Sequence, residues 1–329
     1  MTPGITKPVG AVLALLLLAV TPSSASASFP GRNGAIVYGQ STGDRNTAFF
    51  TSIEAVNPRT RRVRVLRSCP RRMNRPFPDC ALWSPHYSPD GRRIAFLTSD
   101  YAEPGTSGIQ TQPGVGTMAP NGSGFEHRPT ANQYSRLAWS PEGDRFLMER
   151  FFRPASGTDP FAMYITSLEG REIAQVTPGS SRGPASPQPD WSSRGEIAFV
   201  VVPTGCTDSC RENIFVTRVG ATPRRLTFRG GTSPSWSPRG ANVAFVRRVS
   251  STRRDVFIIR RTGRGLRRLT YRGGLTPTWS PDGKSIAFVR GRDLHVIRAD
   301  GKRRRLLVRD VAEPGGPDAA EAPDWQPLP

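Results

Sequence analysis

Residues 279–288 read Trp-Ser-Pro-Asp-Gly-Lys-Ser-Ile-Ala-Phe, and this stretch decides the fold. Proline followed by Asp-Gly predicts a tight turn, because proline presets φ and glycine accepts a positive φ. The apolar triplet at the end of the stretch predicts a buried strand. Versions of the same phrase recur along the chain, and their aromatic residues are Tyr87, Trp139, Trp191, Trp236 and Trp279. The phrase is therefore the signature of an internal repeat.

The repeat has a period of 43 to 52 residues and room for four short strands. After the apolar triplet comes a second strand, such as 256–259, and then a turn such as Asp300-Gly301. The segment Arg268-Leu269-Thr270, with its counterpart Arg225-Leu226-Thr227, predicts a third strand. Together with the aromatic strand this makes four, which is typical of the blade of a β-propeller.

The two ends of the repeat region complement each other. Residues 323–327 form an aromatic strand with no triplet after it, whereas residues 33–38 form a turn and an apolar strand with no aromatic strand before them. We therefore predict an all-β, six-bladed propeller of four-stranded blades, formed by residues 28–329. The ring is closed by pairing of the N- and C-terminal strands, so that blade one combines residues 28–80 with 323–329.

The phrase resembles the repeat of TolB-like propellers, which are relatives of WD-repeat proteins, and the resemblance covers residues 29–327. Relatives of this kind carry a further domain, an α/β domain in TolB and a hydrolase domain in the prolyl-oligopeptidase relatives. The sequence shows neither. The resemblance therefore implies the fold, and neither an envelope role nor peptidase activity follows from it.

Residues 1–27 predict a signal peptide, with Lys7 before an apolar run at 11–20 and Ala25-Ser26-Ala27 as the cleavage site. The mature chain is expected to be secreted or extracytoplasmic, and no later segment is apolar enough to span a membrane. The four cysteines fit disulfides in that compartment. Of three pairings, the simplest is Cys69–Cys80 with Cys206–Cys210, and the spacing is poor for a zinc site.

The composition is strongly basic, with 46 Lys+Arg against 26 Asp+Glu and a net charge of +20. The 33 glycines and 32 prolines disfavour long helices. Residues 233–276 carry +10 and residues 28–82 carry +7, which predicts a basic sector over blades five, six and one. Its candidate residues are Arg61, Arg62, Arg64, Arg267, Arg268, Arg303, Arg304 and Arg305. In one interpretation these arginines protect the outer edge strands from edge-to-edge aggregation, and in the other they bind an anionic partner. Because the chain is expected to be exported, nucleic acid is disfavoured as that partner.

The long connections between strands are all expected on one face of the propeller, which usually marks the binding face. The residue before each aromatic forms a column around the channel. From this column and the nearby connections we take as candidate ligand residues His86, Asp190, Thr278, Asp324, Asp100 and Glu103. Paired oxygens at the channel mouth would suit a divalent cation, whereas the alternative is that the acids cap strands or pair with arginines.

Two hypotheses for the function follow. The first is a secreted, non-catalytic, monomeric binding scaffold that presents its long connections to a protein or an anionic cell-envelope polymer. The second is a hydrolase at the channel mouth, lactonase-like or glycan-cleaving, with a divalent cation as its one conceivable cofactor. The sequence assigns no catalytic residue and no metal ligand.

Overall fold

The computed structural model describes residues 29–42, 49–69, 80–101, 111–151, 161–177, 188–201, 211–311 and 322–329. Within these ranges every regular element is a β-strand. The 24 strands form six antiparallel sheets of four, which are the blades of a propeller.

The strands are numbered β1 to β24 along the chain, and each blade is given from its innermost strand outwards. Blade 1 comprises β24 (Asp324–Leu328), β1 (Arg32–Thr42), β2 (Phe49–Val56) and β3 (Val63–Ser68). Blade 2 comprises β4 (Cys80–Tyr87), β5 (Ile94–Tyr101), β6 (Thr111–Met118) and β7 (Glu126–Pro129). Blade 3 comprises β8 (Gln133–Trp139), β9 (Arg145–Phe151), β10 (Phe161–Ser167) and β11 (Glu172–Gln175).

The other three blades follow the same order. Blade 4 comprises β12 (Asp190–Trp191), β13 (Ile197–Val201), β14 (Asn213–Thr217) and β15 (Arg224–Arg225). Blade 5 comprises β16 (Thr232–Trp236), β17 (Asn242–Arg248), β18 (Arg254–Arg260) and β19 (Arg267–Arg268). Blade 6 comprises β20 (Leu275–Trp279), β21 (Ser285–Arg290), β22 (Asp293–Arg298) and β23 (Arg305–Val308).

The predicted ring closure is confirmed. β24 pairs with β1 in antiparallel register, and Trp325 faces Ile36 across the two strands. The six aromatic strands β24, β4, β8, β12, β16 and β20 each contact the next one around the ring, so they are the innermost strands. Apolar clusters fill the spaces between neighbouring blades, such as the one that joins Trp325 and Ile36 of blade 1 to Val289 of blade 6.

The repeated phrase forms the turn that the sequence predicts. In blade 6 the Ser280 hydroxyl donates to the Asp282 carboxylate at 2.6 Å and accepts from the Ser285 amide at 2.9 Å. Gly283 has a φ of +69°, which a residue with a Cβ rarely adopts. In blade 2 the glycine is also required by space, because a Cβ on Gly91 would lie 1.9 Å from the carbonyl oxygen of Pro327. The serine, the acid and the glycine each have a separate structural reason.

The outermost strands of blades 4 and 5 are shorter than predicted. β15 ends at Arg225 and β19 at Arg268, although the sequence pattern extends each strand to a threonine two residues later. Beyond each strand end the backbone stays bonded on one side only: the Val256 carbonyl accepts from the Leu269 amide at 2.8 Å, whereas the Val256 amide donates to the Thr270 hydroxyl at 2.9 Å. In blade 4 the Ile214 carbonyl accepts from the Leu226 amide at 2.8 Å, and the Ile214 amide donates to the Thr227 hydroxyl. A threonine side chain therefore replaces one of the two backbone bonds of a regular ladder.

The propeller has two different faces. On the turn face, within the described chain, first and second strands and third and fourth strands are joined by four to seven residues. The remaining connections begin and end on the other face, the loop face, and reach 15 residues between β23 and β24. The long connections of the sequence analysis, namely 68–81, 99–112, 151–160, 177–187, 203–211 and 309–322, are thus attached to one face. In the described part of the chain, no helix is long and apolar enough to span a membrane.

The Cys69–Cys80 disulfide is confirmed and lies on the loop face, between β3 and β4. Both cysteines are buried in an apolar cluster with Leu82 and Ile53. The predicted Cys206–Cys210 pair and the predicted signal peptide lie outside the described residues, so both stay predictions.

Candidate functional site

The six inner strands enclose a central channel lined by both polar and apolar side chains. The volume of its cavity, counted as the space that the centres of water molecules can occupy, is about 90 Å³. This volume accommodates several waters or one small group, because a single water needs about 10–15 Å³ on the same measure. The predicted column lines this cavity, with one residue from each blade: His86, Ala138, Asp190, Ser235, Thr278 and Asp324.

Asp324 is the centre of a small polar cluster. One of its carboxylate oxygens, Oδ2, accepts from the Tyr87 amide of blade 2 at 2.7 Å and lies 3.9 Å from Nδ1 of His86. The Thr278 hydroxyl of blade 6 also hydrogen-bonds to the carboxylate. Three of the predicted candidates, Asp324, His86 and Thr278, are therefore brought together by three consecutive blades.

Asp190 has the same role on the opposite side of the ring. Its Oδ2 accepts from the Trp236 amide of blade 5 at 2.5 Å, as Asp324 does from the amide of the next aromatic residue. Two residues earlier, Oε1 of Gln188 accepts from the Ser233 amide at 2.6 Å. Each acid therefore joins one blade to the next. This is the strand-capping alternative of the sequence analysis, with a neighbouring strand as the partner.

The inner strands carry a strained residue at one repeated position, three residues before the aromatic. Ser84, Gln188, Ser233 and Thr276 all have φ between +44° and +54°. The ladder register shifts next to this position in blades 2, 5 and 6. Bulges of this kind re-aim side chains and concentrate at functional sites. Here three of the four residues, Gln188, Ser233 and Thr276, line the central cavity.

Phe29 narrows the channel at the turn face. It precedes β1, is only 6% exposed, and packs with Leu137 and Trp139 of blade 3 in one apolar cluster. It also lines the central cavity. Sequence reasoning missed Phe29 because it lies outside the repeat. Gln188, Ser233 and Thr276 were also missed. Each lies three positions before the aromatic residue of its blade, and this constant separation is a signal that the sequence contains.

The remaining predicted residues lie elsewhere. Asp100 is at the loop-face end of β5, away from the column, and Glu103 lies outside the described residues. Among the described residues, no group of three or more His, Cys, Asp or Glu side chains is placed to hold a metal ion. A divalent cation in the channel thus has Asp190 and Asp324 as its candidate carboxylate ligands.

The arginines of the predicted basic sector lie on outer strands and the turns before them. Arg305 of blade 6 has a lowered pKa because of burial and of repulsion from Arg61 of blade 1, so the two blades adjoin with like charges. Several arginines also have structural partners. Arg268 is paired with the buried Asp255, and Arg267 donates to the Ala299 carbonyl of blade 6. These contacts agree with the edge-strand interpretation and leave docking to be tested.

Two Arg-Gly-Gly segments, at 229–231 and 272–274, form turns between blades. Gly230 and Gly273 have φ of +91° and +95° at equivalent positions. The following glycine in each segment donates its amide to a carbonyl at the start of the preceding blade's third strand, namely Glu212 for Gly231 and Arg254 for Gly274.

The channel acids have unusual protonation equilibria. Burial raises the pKa of Asp324 to about 7 and that of Asp190 to about 6, against hydrogen bonds from the Tyr87 and Trp236 amides that lower them. Repulsion between the two acids raises the pKa of Asp324 further. Burial and the nearby Arg136 lower the pKa of His86 to about 4. Near neutral pH the channel therefore contains a neutral histidine and two carboxyl groups close to their titration points.

These shifts predict a pH dependence of stability. Because the folded protein keeps protons on Asp190 and Asp324 that the unfolded chain has lost, the free energy of unfolding falls as pH rises from about 4 to 7. Asp190→Asn/Asp324→Asn keeps an oxygen acceptor and removes the titration. We expect the double variant to gain about 5 kcal/mol on the wild type between pH 4.5 and 7.5.

Urea unfolding at several pH values measures this difference. His86 works in the opposite direction between pH 4 and 6.5, since its lowered pKa makes the unfolded chain the better proton acceptor. It is present in both proteins and cancels in the comparison. Parallel pH curves for the two proteins would contradict the raised pKa values.

Six four-stranded sheets around one channel define a six-bladed β-propeller. No protein-family model and no curated protein matches the chain. Among solved structures, the chain is similar to TolB from Acinetobacter baumannii, with TM-score 0.65, 19% identity, and coverage of 89% of this chain and 67% of that one. A TolB candidate from Agrobacterium tumefaciens gives TM-score 0.58, 18% identity, and coverage of 85% and 98%.

A protease also contains a similar propeller. The β-propeller domain of the Trilobed protease from Pyrococcus furiosus matches with TM-score 0.51, 14% identity, and coverage of 88% of both chains. At these identities the likeness is one of fold. The chain is a TolB-like six-bladed β-propeller, and its activity has to be argued from its own residues.

Proposed function

We propose that the protein is a non-catalytic, monomeric binding scaffold outside the cytoplasm, which presents its loop face to a protein or an anionic polymer of the cell envelope. The observation that carries this proposal is the asymmetry of the two faces. The turn face has short connections of nearly constant length, whereas every long connection is attached to the loop face. Variable connections on a rigid scaffold are the usual location of a binding surface.

The channel supports the same proposal. Asp190 and Asp324 accept backbone amides of the neighbouring blade, and the buried Glu149 accepts the Gln188 amide at 2.9 Å. These carboxylates are therefore parts of the blade-to-blade contact. A partner's small terminal group fits a cavity of this size better than a whole substrate does. The Cys69–Cys80 disulfide supports an extracytoplasmic location.

The test uses bulky substitutions on opposite faces. Ala131 and Ser251 are exposed on the loop face, and Ala221 and Thr262 are exposed on the turn face. We expect Ala131→Trp or Ser251→Trp to reduce co-sedimentation with isolated cell envelopes at least five-fold. The matched controls Ala221→Trp and Thr262→Trp should bind like the wild type. Protease treatment of the envelopes distinguishes a protein partner from a polymer, and equal binding by all four variants would contradict the face assignment.

The second candidate is a lactonase-like or glycan-cleaving hydrolase at the channel mouth, with or without a divalent cation. The observation that favours it is that two carboxyl groups titrate near pH 6 and 7, as general acids and bases do. Its test is hydrolysis of lactones and glycosides by the wild type and by Asp324→Asn. Hydrolysis that disappears in the variant, or tight calcium binding that disappears in Asp190→Ala, would replace the scaffold proposal.

A further inference from the structure

A second cavity lies on the loop face, at the junction of blades 4 and 5. The start of β14, the connection from β15 to β16, the end of β17 and the start of β18 form its walls. It offers about 350 Å³ to the centres of water molecules, roughly four times the volume of the central channel. We call this cavity the arginine groove, because its lining includes Arg211, Arg229, Arg248 and Arg254.

The charges of the arginine groove are poorly balanced. Among the described residues that line it, Glu212 is the single acid. Within the described chain, no acidic side chain forms an ion pair with Arg211, Arg229 or Arg248. Arg247, directly behind the groove, has a lowered pKa because of burial and of repulsion from Arg229 and Arg211. The guanidinium groups are thus close enough to repel each other, and an anion between them would relieve that repulsion.

The fold holds this arrangement in place. The Nε atom of Arg247 donates to the Gly230 carbonyl at 3.1 Å, which ties the end of β17 to the Arg-Gly-Gly turn. The Gly230 amide in turn donates to Oδ1 of Asn213 at 3.2 Å. Arg229 therefore projects from a turn that is bonded on both sides. Because the backbone at this turn is already fixed, ligand binding has only side chains to order there, which lowers its entropic cost.

The next junction shows what distinguishes the groove. Between blades 5 and 6, Arg290 donates its Nε to the Arg272 carbonyl at 2.8 Å, as Arg247 does to Gly230. There too, neighbouring arginines lower the pKa of Arg290, but the nearby Asp293 raises it. Among the described residues, no acid has that effect on Arg247. Arg272 and Arg290 are thus the counterparts of Arg229 and Arg247, whereas Gly291 stands at the position of Arg248. Within the described chain, the blade 4–5 junction lacks the acid that offsets the arginines of the next junction.

We propose that the arginine groove binds the phosphate groups of a polyanionic ligand, and this proposal rests on the anionic-polymer form of the proposed function. Arginine forks match the oxygens of a phosphate two at a time, and several forks are satisfied by a group of two or more charges. The groove has space for more than one phosphate. A free pyrophosphate and a phosphate-bearing polymer share this chemistry, and the experiment distinguishes them.

The experiment is a calorimetric titration of the purified protein at low salt with inorganic phosphate, pyrophosphate and a long-chain polyphosphate. The variant is Arg229→Gln/Arg248→Gln, which removes two charges from the groove. The matched control is Arg239→Gln/Arg264→Gln, which removes two exposed charges of blade 5 on the turn face. We expect the groove variant to weaken pyrophosphate binding at least ten-fold and the control to change it less than two-fold. Both should unfold at the wild-type urea concentration.

Each outcome has a defined meaning. An equal loss of binding in the two double variants would show a response to net charge alone and would overturn the proposal. Absence of pyrophosphate and polyphosphate binding by the wild type would overturn it as well. Tighter binding per molecule of polyphosphate, lost in the groove variant, identifies a polymer as the source. If pyrophosphate binding depends on the groove but all four tryptophan variants bind envelopes like the wild type, the proposed function fails and the groove stands. If Ala131→Trp abolishes envelope binding while pyrophosphate does not bind, the reverse holds.

Discussion

Replacement of Trp325 by alanine is expected to lower the free energy of unfolding by about 4 kcal/mol. The indole is 3% exposed and packs in the cluster that joins blade 1 to blade 6. Its Nε1 donates to the Gly34 carbonyl at 3.1 Å, across the seam where β24 pairs with β1. The substitution creates a cavity. It also weakens the ring closure, because β24 pairs with β1 through only a few residues, Trp325 among them.

Urea denaturation followed by circular dichroism measures the effect. Trp325→Phe keeps most of the apolar volume and is expected to cost about half as much. Phe228→Ala is the matched control, since this aromatic side chain is 72% exposed and its removal should change stability by less than about 0.5 kcal/mol. Equal stability of Trp325→Ala and Phe228→Ala would show that the C-terminal strand contributes little to closure.

Removal of the Asp255 carboxylate is expected to cost about 3 kcal/mol. Asp255 is fully buried at the start of β18, where it pairs with Arg268 of the outermost strand and lies 3.5 Å from Nε of Arg253. It also accepts from the Gly273 amide at 2.8 Å. Asp255→Ala therefore leaves an arginine without its anion and a buried amide without an acceptor.

The chain supplies its own control for this substitution. Blade 4 has Asn213 at the equivalent position, where its Oδ1 accepts from the Gly230 amide. Asp255→Asn should keep the turn and lose the ion pairs, at a cost of about 1 kcal/mol, because Arg268 keeps access to water. Urea unfolding of both variants gives the comparison. A cost for Asp255→Asn as large as that for Asp255→Ala would assign the stability to charge pairing and not to the amide.

The architecture was predictable because one short phrase contains it. Trp279, Ser280, Asp282 and Gly283 each meet a local requirement of the same turn, so the pattern survives repetition in blades of different length. The closure was predictable from complementary half-repeats at the two ends. β19 ends earlier than predicted, because the Thr270 hydroxyl takes the Val256 amide while the Val256 carbonyl still accepts a backbone amide, and sequence patterns do not distinguish this arrangement from a regular ladder.

The channel was predictable in part. Asp190 and Asp324 occupy a repeat position, so their place in the column followed from counting, whereas their bonds to the next blade depend on a bulge that the sequence pattern does not reveal. The arginine groove was not predicted. Its residues come from four separate segments of two blades, and total charge directed attention to the outer strands. A cluster formed only by tertiary packing leaves no local signal.

The positions at which β1 begins and β24 ends have a consequence for attachment. β24 finishes and β1 starts on the turn face, where Nε of Arg32 donates to the Pro329 carbonyl at 2.7 Å. A tether joined at either position would thus hold the molecule by one side only. On a bead, a sensor chip or a membrane, the loop face would point outwards into solution. The orientation of the molecule on a surface is then set by the seam at which β24 pairs with β1.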